Sequence, residues 1–247
     1  MSVKRDDRRV ALLIPAVDEE EALPRVLEEL PQGELDVLLV VDNGSRDRTA
    51  EVARAGGATV LFEGRRGYGR ACLSGLEWLL GGAGLVPPLG PGDVVCFLDG
   101  DHSDYPEDLP SVLAPVLAGE ADLCIGSRVL GGAGWDALLP QAWFGNRLAC
   151  FLMRTFFGAR YTDLGPFRSI EVGALERLGM EDPDFGWTVE MQLKAATEGL
   201  RFVEVPVRYR KRIGKSKITG TVRGTFRAAT KILGWIFRWK LATRRRP

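Results

Sequence analysis

Between Asp99 and Asp108 the chain carries five carboxylates, Asp99, Asp101, Asp104, Glu107 and Asp108, directly after the apolar run Val94 to Leu98. Like charges crowded at the end of a buried strand repel one another and call for a cation or for solvent. A D-x-D turn such as Asp99-Gly100-Asp101 can send both carboxylates to one side. A hard divalent cation, Mg²⁺ or Mn²⁺, is commonly held by one or two such groups, with water and substrate phosphates completing its shell. Ser103 is close enough in the chain to reach the same place. Asp104, just ahead of Tyr105-Pro106, is expected to cap the next helix. A solvated acidic turn would carry the same letters, so the D-x-D pair alone does not choose between the two readings. His102, the sole histidine, is expected to be a partly exposed bystander.

The matching positive charge is displaced along the chain. Net charge is zero, yet from Arg208 onward there are fourteen Lys or Arg and no acid. That end is built to meet anions, and a nucleotide diphosphate, a phospholipid surface and nucleic acid are the candidate classes. Nothing in it carries base-reading chemistry beyond charge, so nucleic acid is not expected as a partner. The stretch GRRGYGRACLSG, 64–75, offers Arg65, Arg66 and Arg70 to a phosphate or nucleotide, or is a structural turn. It is no dinucleotide fingerprint, because Cys72 stands where G-x-G-x-x-G requires its third glycine. Asp42 closes another apolar run, and Asn43-Gly44-Ser45 supplies a turn before a helix capped from Ser45 or Asp47.

The elements that must position these groups follow from hydrophobic periodicity. Short runs rich in Val, Leu and Ile at 10–14, 36–41, 58–62, 93–98, 122–126 and 201–207 read as strands. Helical patterns cover 20–30, 47–55, 69–80, 106–118, 141–157 and 188–199. Continuously apolar strands alternating with helices predict a mostly parallel sheet covered on both faces, which binds ligands at the carboxyl ends of its strands. Three of those ends are followed by polar chemistry: PAVDEE, DNGSRDRT and DGDHSD. The Gly/Pro-rich segment 81–93 reads as a surface loop. Its 247 residues, 45% of them hydrophobic, suffice for a packed core. No apolar run is long enough to span a bilayer and the N-terminus lacks a signal-peptide pattern, so a cytoplasmic protein is expected. The four cysteines are spaced like buried thiols. Residues 219–241 form a basic, Trp-bearing amphipathic pattern, fit either for a membrane interface or for packing on the protein's own domain.

Taken in order, Ile14-Pro15-Ala16-Val17-Asp18-Glu19, the Val41 to Thr49 stretch VDNGSRDRT and Asp99-Gly100-Asp101 resemble the family 2 glycosyltransferases of the GT-A fold, with Asp18 in place of the usual Asn. The likeness runs from about residue 9 to 240 and is nearest the polyprenyl-phosphate (dolichyl-phosphate) mannosyl- and glucosyltransferases, through ADLCIGSR, FGNRLACFLMRTFFGARYTDLGPFRSI, GWTVEMQLKA and VPVRYRKRIGKSKITG. The resemblance implies an α/β GT-A-type domain over 1–218, with a nucleotide-binding half at 1–127 and an acceptor-side half at 128–218. A basic amphipathic segment follows at 219–247. It implies that Pro15, Ala16, Glu19 and Asp42 contact the nucleoside, with Asp99 on the same side; Arg66, from the 64–75 loop, is the further nucleotide-binding candidate. Asp99, Asp101 and Ser103 would hold Mg²⁺ or Mn²⁺, and Arg128, Arg147, Arg168, Lys215 and Lys217 would lie near donor diphosphate or acceptor phosphate. Asp101, Arg128, Arg147 and Asp163 are the catalytic candidates, and Glu190 belongs to the acceptor side. The implied reaction is metal-dependent, inverting transfer of a hexose from UDP-glucose or GDP-mannose to polyprenyl phosphate, on the inner face of the cell membrane. Transfer to a glycan or soluble hydroxyl, with Asp163 as base, and a catalytically inactive membrane adaptor are the alternatives.

Overall fold

The computed structural model describes residues 7–81, 84–134, 140–214 and 222–243, with the backbone alone at 222–229 and 242–243. Strands β1 (Val10–Ala16), β2 (Val37–Asp42), β3 (Thr59–Phe62), β4 (Val94–Phe97), β5 (Leu123–Ser127), β6 (Arg168–Glu171) and β7 (Phe202–Pro206) form one sheet. Their order is β3-β2-β1-β4-β6-β5-β7. Every pairing is parallel except those of β6, which runs against both β4 and β5. The expected mostly parallel α/β architecture is therefore what forms.

The central strands are apolar along their length because both faces are covered. Alternation along β1 divides the core. Ala11 and Leu13 face a layer built from α3 (Tyr68–Leu80), α5 (Pro140–Phe157) and α7 (Trp187–Thr197). Val10, Leu12 and Ile14 face α1 (Leu23–Glu28) and α4 (Leu109–Leu117). α2 (Thr49–Ala55) lies against β2 and β3, and all four cysteines are buried and free.

β6 and the helix directly after it, α6 (Val172–Leu178), have no counterpart in the periodicity reading. Arg168-Ser169-Ile170-Glu171 is too short and too polar to read as a core strand, yet its first three residues are buried in the middle of the sheet. Its reversed direction has a functional consequence. The residues that lead into β6, 161–167, arrive at the same edge as the carboxyl ends of the parallel strands.

α1 begins at Leu23 rather than Glu20 because the residues before it are held elsewhere. The Glu19 amide donates to Thr49 Oγ1 at 2.8 Å and the Glu20 amide to Asp47 Oδ2 at 3.1 Å. Asp47 also accepts the Thr49 amide at 3.0 Å, as a cap would, whereas the Ser45 hydroxyl accepts the Asp18 amide instead. The last helix, α8 (Val222–Thr243), packs on α5 and α7. Trp235 and Ile236 are buried in the core, Trp239 Nε1 donates to Thr197 Oγ1 at 3.2 Å, and Lys240 Nζ donates to the Phe156 carbonyl at 2.9 Å. The Trp-bearing face of the amphipathic helix thus serves the protein's own interior.

Candidate active site

The carboxyl ends of β1, β2 and β4 bring Glu19, Asp42, Asp99 and Asp101 to one edge. Asp42 sits opposite Ala16 in the β1/β2 register and accepts the Ser45 amide at 2.8 Å, which closes the turn after β2. Asn43 then ties in the next loop. Its amide group donates to the Glu63 and Arg65 carbonyls, and its oxygen accepts the Gly67 amide at 2.8 Å. Arg66 reaches back over this turn to the Gly44 carbonyl at 2.7 Å. The 64–75 loop is also pinned from outside: a Cβ on Gly67 or Gly69 would fall 2.2 or 1.9 Å from the backbone oxygen of Pro183 or Asp182. Glycine is required there by close backbone approach, a role the sequence alone left undecided.

At the D-x-D turn, Asp101 Oδ1 accepts the Ser103 amide at 2.9 Å, and Tyr68 donates its hydroxyl to Asp99. Asp99 Oδ1 is buried without any hydrogen-bond partner among the described residues. Burial, and then the neighbouring Asp101 charge, push the Asp99 carboxyl up to about 7. A partly buried carboxylate pair with an open oxygen is a stored repulsion that a divalent cation relieves. No described cluster of three His, Cys, Asp or Glu could enclose a metal. The donor set therefore fits a cation held by two carboxylates and completed by water and diphosphate oxygens, the usual habit of Mg²⁺. Ser103 is buried at 2% exposure, and its hydroxyl donates to the Tyr209 oxygen.

Arg128 follows β5 and Asp163 precedes β6, and the reversal of β6 brings them together. The Arg128 guanidinium forks onto Asp163 at 2.8 and 2.7 Å, and the Arg128 amide adds a third bond at 2.8 Å. Asp163 is wholly buried, and the guanidinium lies 5.1 Å from the Tyr209 ring centroid. This fixed positive charge is near enough to draw down both Asp99 and Asp104, although burial outweighs it at each.

Several expected site residues stand elsewhere. Arg168 is fully buried and spends its guanidinium on the carbonyls of Leu164, Gly165 and Thr188, so it faces no open phosphate; burial lowers it to about 10. Glu190, also fully buried, accepts the amides of Glu181 and Asp182 and the Lys194 ammonium at 2.7 Å, anchoring the loop that packs on Gly67. Arg147 is exposed on α5, stacked 4.3 Å over Trp143 and not joined to the acids. Asp104 caps nothing: both its oxygens are buried without partners, and Tyr105 precedes the short 3-10 turn Pro106–Asp108. His102 is buried rather than exposed, with a positive φ of 60° and Nε2 2.9 Å from Glu29. Lys215 and Lys217 lie outside the described residues.

Arg212 was missed by sequence reasoning. It bridges Glu19 Oε1 at 2.9 Å and Asp101 Oδ2 at 3.0 Å. The signal was the alternation of arginine at 208, 210 and 212, a strand period inside the basic tail. All three turn toward acids: Arg208 to Asp108, Arg210 to Glu29, Arg212 to Glu19 and Asp101.

Residues 11–178 match the family described as Glycosyl transferase family 2. The chain belongs to that family. An uncharacterized glycosyltransferase of Mycobacterium tuberculosis is 37% identical over 218 residues, covering 87% of this chain and 92% of the relative. The undecaprenyl-phosphate mannosyltransferase of Micrococcus luteus is 32% identical over 253 residues, covering 96% of each. Among solved structures, M. tuberculosis glucosyl-3-phosphoglycerate synthase in complex with Mn²⁺, UDP and phosphoglyceric acid superposes with a TM-score of 0.74 at 19% identity. The match covers 96% of this chain and 80% of that one and shows a shared GT-A-type fold. This family 2 glycosyltransferase thus keeps its conspicuous acids where the fold presents ligands, at the carboxyl edge of the sheet.

Proposed function

We propose that this glycosyltransferase moves a hexose from a nucleoside diphosphate sugar, UDP-glucose or GDP-mannose, to a polyprenyl phosphate, with Mg²⁺ or Mn²⁺ at Asp99 and Asp101. The observation that carries the acceptor reading is the employment of the acids. A sugar hydroxyl must lose its proton to a positioned base, whereas a lipid phosphate is already an anionic nucleophile. Asp163 is spent on Arg128, and Glu190 on a loop and Lys194. Asp104, the unpartnered acid nearby, is 2% exposed with both carboxylate oxygens buried, out of reach of an incoming hydroxyl. The Micrococcus relative, aligned over nearly the whole of both chains, is named for the same acceptor class.

In this reading Pro15, Ala16, Glu19 and Asp42 line the nucleoside and Arg66 covers it. The cation, when bound, supplies positive field to the departing diphosphate. Arg128 adds a charge whose position is set beforehand by Asp163 and so costs no reorganisation during transfer. The test is release of nucleoside diphosphate from a panel of UDP- and GDP-sugars, with and without Mn²⁺ and a short polyprenyl phosphate. Release that requires both is expected. Release driven by a glycan acceptor alone would replace the reading with hydroxyl transfer, and nucleotide binding without release under any condition would leave an inactive adaptor.

A lipid acceptor places the enzyme at a membrane surface, although no described helix is long and apolar enough to cross one. The face that fits is shared by α5 and α8. Phe144, Phe151, Phe237 and Leu241 are exposed by 64, 62, 49 and 63%, with Arg147, Arg154 and Arg238 exposed among them. Neither helix contains an acid. Exposed aromatics interleaved with arginine suit the headgroup region of an anionic bilayer. Removing α8 altogether would uncover the core around Trp235 and Ile236, so point changes are the informative ones. The pair Phe151→Ser and Phe237→Ser should weaken binding to vesicles containing phosphatidylglycerol by about a hundredfold or more, from the loss of roughly 1.5–3 kcal/mol per buried ring. Co-sedimentation checks this, and undiminished binding would remove this face from the proposal.

A further inference from the structure

The geometry points to Arg212 as a resident cation that the metal must displace. This rests on the metal reading of Asp99 and Asp101 and goes beyond it. Arg212 is held over the carboxyl edge by its backbone as well as its side chain. The next amide, Ile213, donates to the Asp101 carbonyl at 3.0 Å, and the Arg210 amide donates to the Ser103 carbonyl at 2.9 Å. From that mooring the guanidinium spans the ends of β1 and β4, with one nitrogen on Glu19 and another on Asp101. Its Nε is buried without a hydrogen-bond partner. The Asp101 oxygen it occupies is the one left over after Oδ1 has taken the Ser103 amide. The charge that offsets Asp101 is thus supplied by the chain itself.

A divalent cation on Asp101 would stand within a few ångströms of that guanidinium, and the two would repel strongly in a partly buried site. Metal alone therefore competes with Arg212 for one carboxylate oxygen. A nucleoside diphosphate changes the balance, because its phosphate oxygens accept the fork that Arg212 withdraws from Asp101. Arg212 is a positioning residue of this kind: it holds the acids in readiness, opposes metal without nucleotide, and favours the two together. It also gives the unpaired Nε a partner once the guanidinium turns.

The test is Mn²⁺ binding followed by electron paramagnetic resonance in the full chain, with and without UDP. Arg212→Met should bind Mn²⁺ alone about tenfold more tightly than the unaltered protein, yet bind Mn²⁺ with UDP more weakly. Arg212→Lys, which keeps the charge and loses the fork, should leave Mn²⁺ affinity low. Asp101→Asn should remove Mn²⁺ binding. If Arg212→Met binds Mn²⁺ alone no more tightly while Asp101→Asn still removes binding, the exchange is wrong and the metal site stands. If none of the chains binds Mn²⁺, with or without UDP, the metal reading falls and takes the exchange with it. Thermal melting of each variant shows that the comparison is made on folded protein.

Discussion

Asp101→Asn should lower sugar transfer by about three orders of magnitude while leaving the fold at least as stable. In the proposed reaction the catalytic loss follows from removing one of the two carboxylates that would hold the cation, and with it much of the field on the departing diphosphate. The stability side follows from the local bonds. The Asn oxygen can still accept the Ser103 amide that Asp101 Oδ1 takes at 2.9 Å. The lost charge relieves Asp99, whose carboxyl is pushed up to about 7 by burial and then by Asp101 itself. Against this, Arg212 loses one of its two acids, but Glu19 remains. Nucleoside diphosphate release and a melting curve on the same preparation decide the matter. Activity within tenfold of the unaltered enzyme would rule out Asp101 as a metal ligand.

Arg128→Met should be the more damaging change to the fold. Asp163 has no exposed side-chain surface, and the guanidinium and amide of Arg128 provide three of its hydrogen bonds. Breaking one side of such a pair leaves a buried charge without compensation, which costs about 3–5 kcal/mol. At roughly 2–4 °C of melting temperature per kcal/mol for a chain of this size, the midpoint should fall by about 6–20 °C. Adding Asp163→Asn to the methionine variant should recover part of the loss, because the stranded charge is then gone. Urea denaturation of the two single variants and the double variant measures the coupling. A loss below about 1 kcal/mol for Arg128→Met would mean that water reaches Asp163 and that the pair is no anchor. Transfer should fall in Arg128→Lys as well, since an ammonium keeps the charge without the planar fork.

Much of the candidate site was legible because it follows strands of strong local pattern. β1, β2 and β4 read as buried runs, and the polar letters after each one land at the carboxyl edge. That pattern was enough to place Asp42, Asp99 and Asp101 at the edge, though not to say what they bind. Arg168 and Glu190 show the limit of motif order. Each stands beside residues of the site in the chain, yet each is turned inward, one to carbonyls and one to a loop. A charged letter states what a side chain carries and leaves open which way the backbone aims it. β6 was hidden for a related reason: a four-residue strand with an arginine and a serine has no hydrophobic period to show.

By itself the sequence determined the alternation of strand and helix, the parallel sheet, and the acids that meet at its carboxyl edge. The strand and helix patterns rest on residues near one another in the chain, where spacing is information, and the parallel sheet follows from alternating apolar strands with helices. The tertiary structure decided the partners. Arg128 finds Asp163 across 35 residues only because β6 runs backwards, and Arg212 finds Glu19 across 193 because the chain after β7 returns over the ends of β1 and β4. It also decided that Trp235 faces inward and Phe237 outward on α8. Such pairings are set by topology and by the competition among all buried charges for the few geometries that satisfy them, and no local pattern encodes that choice.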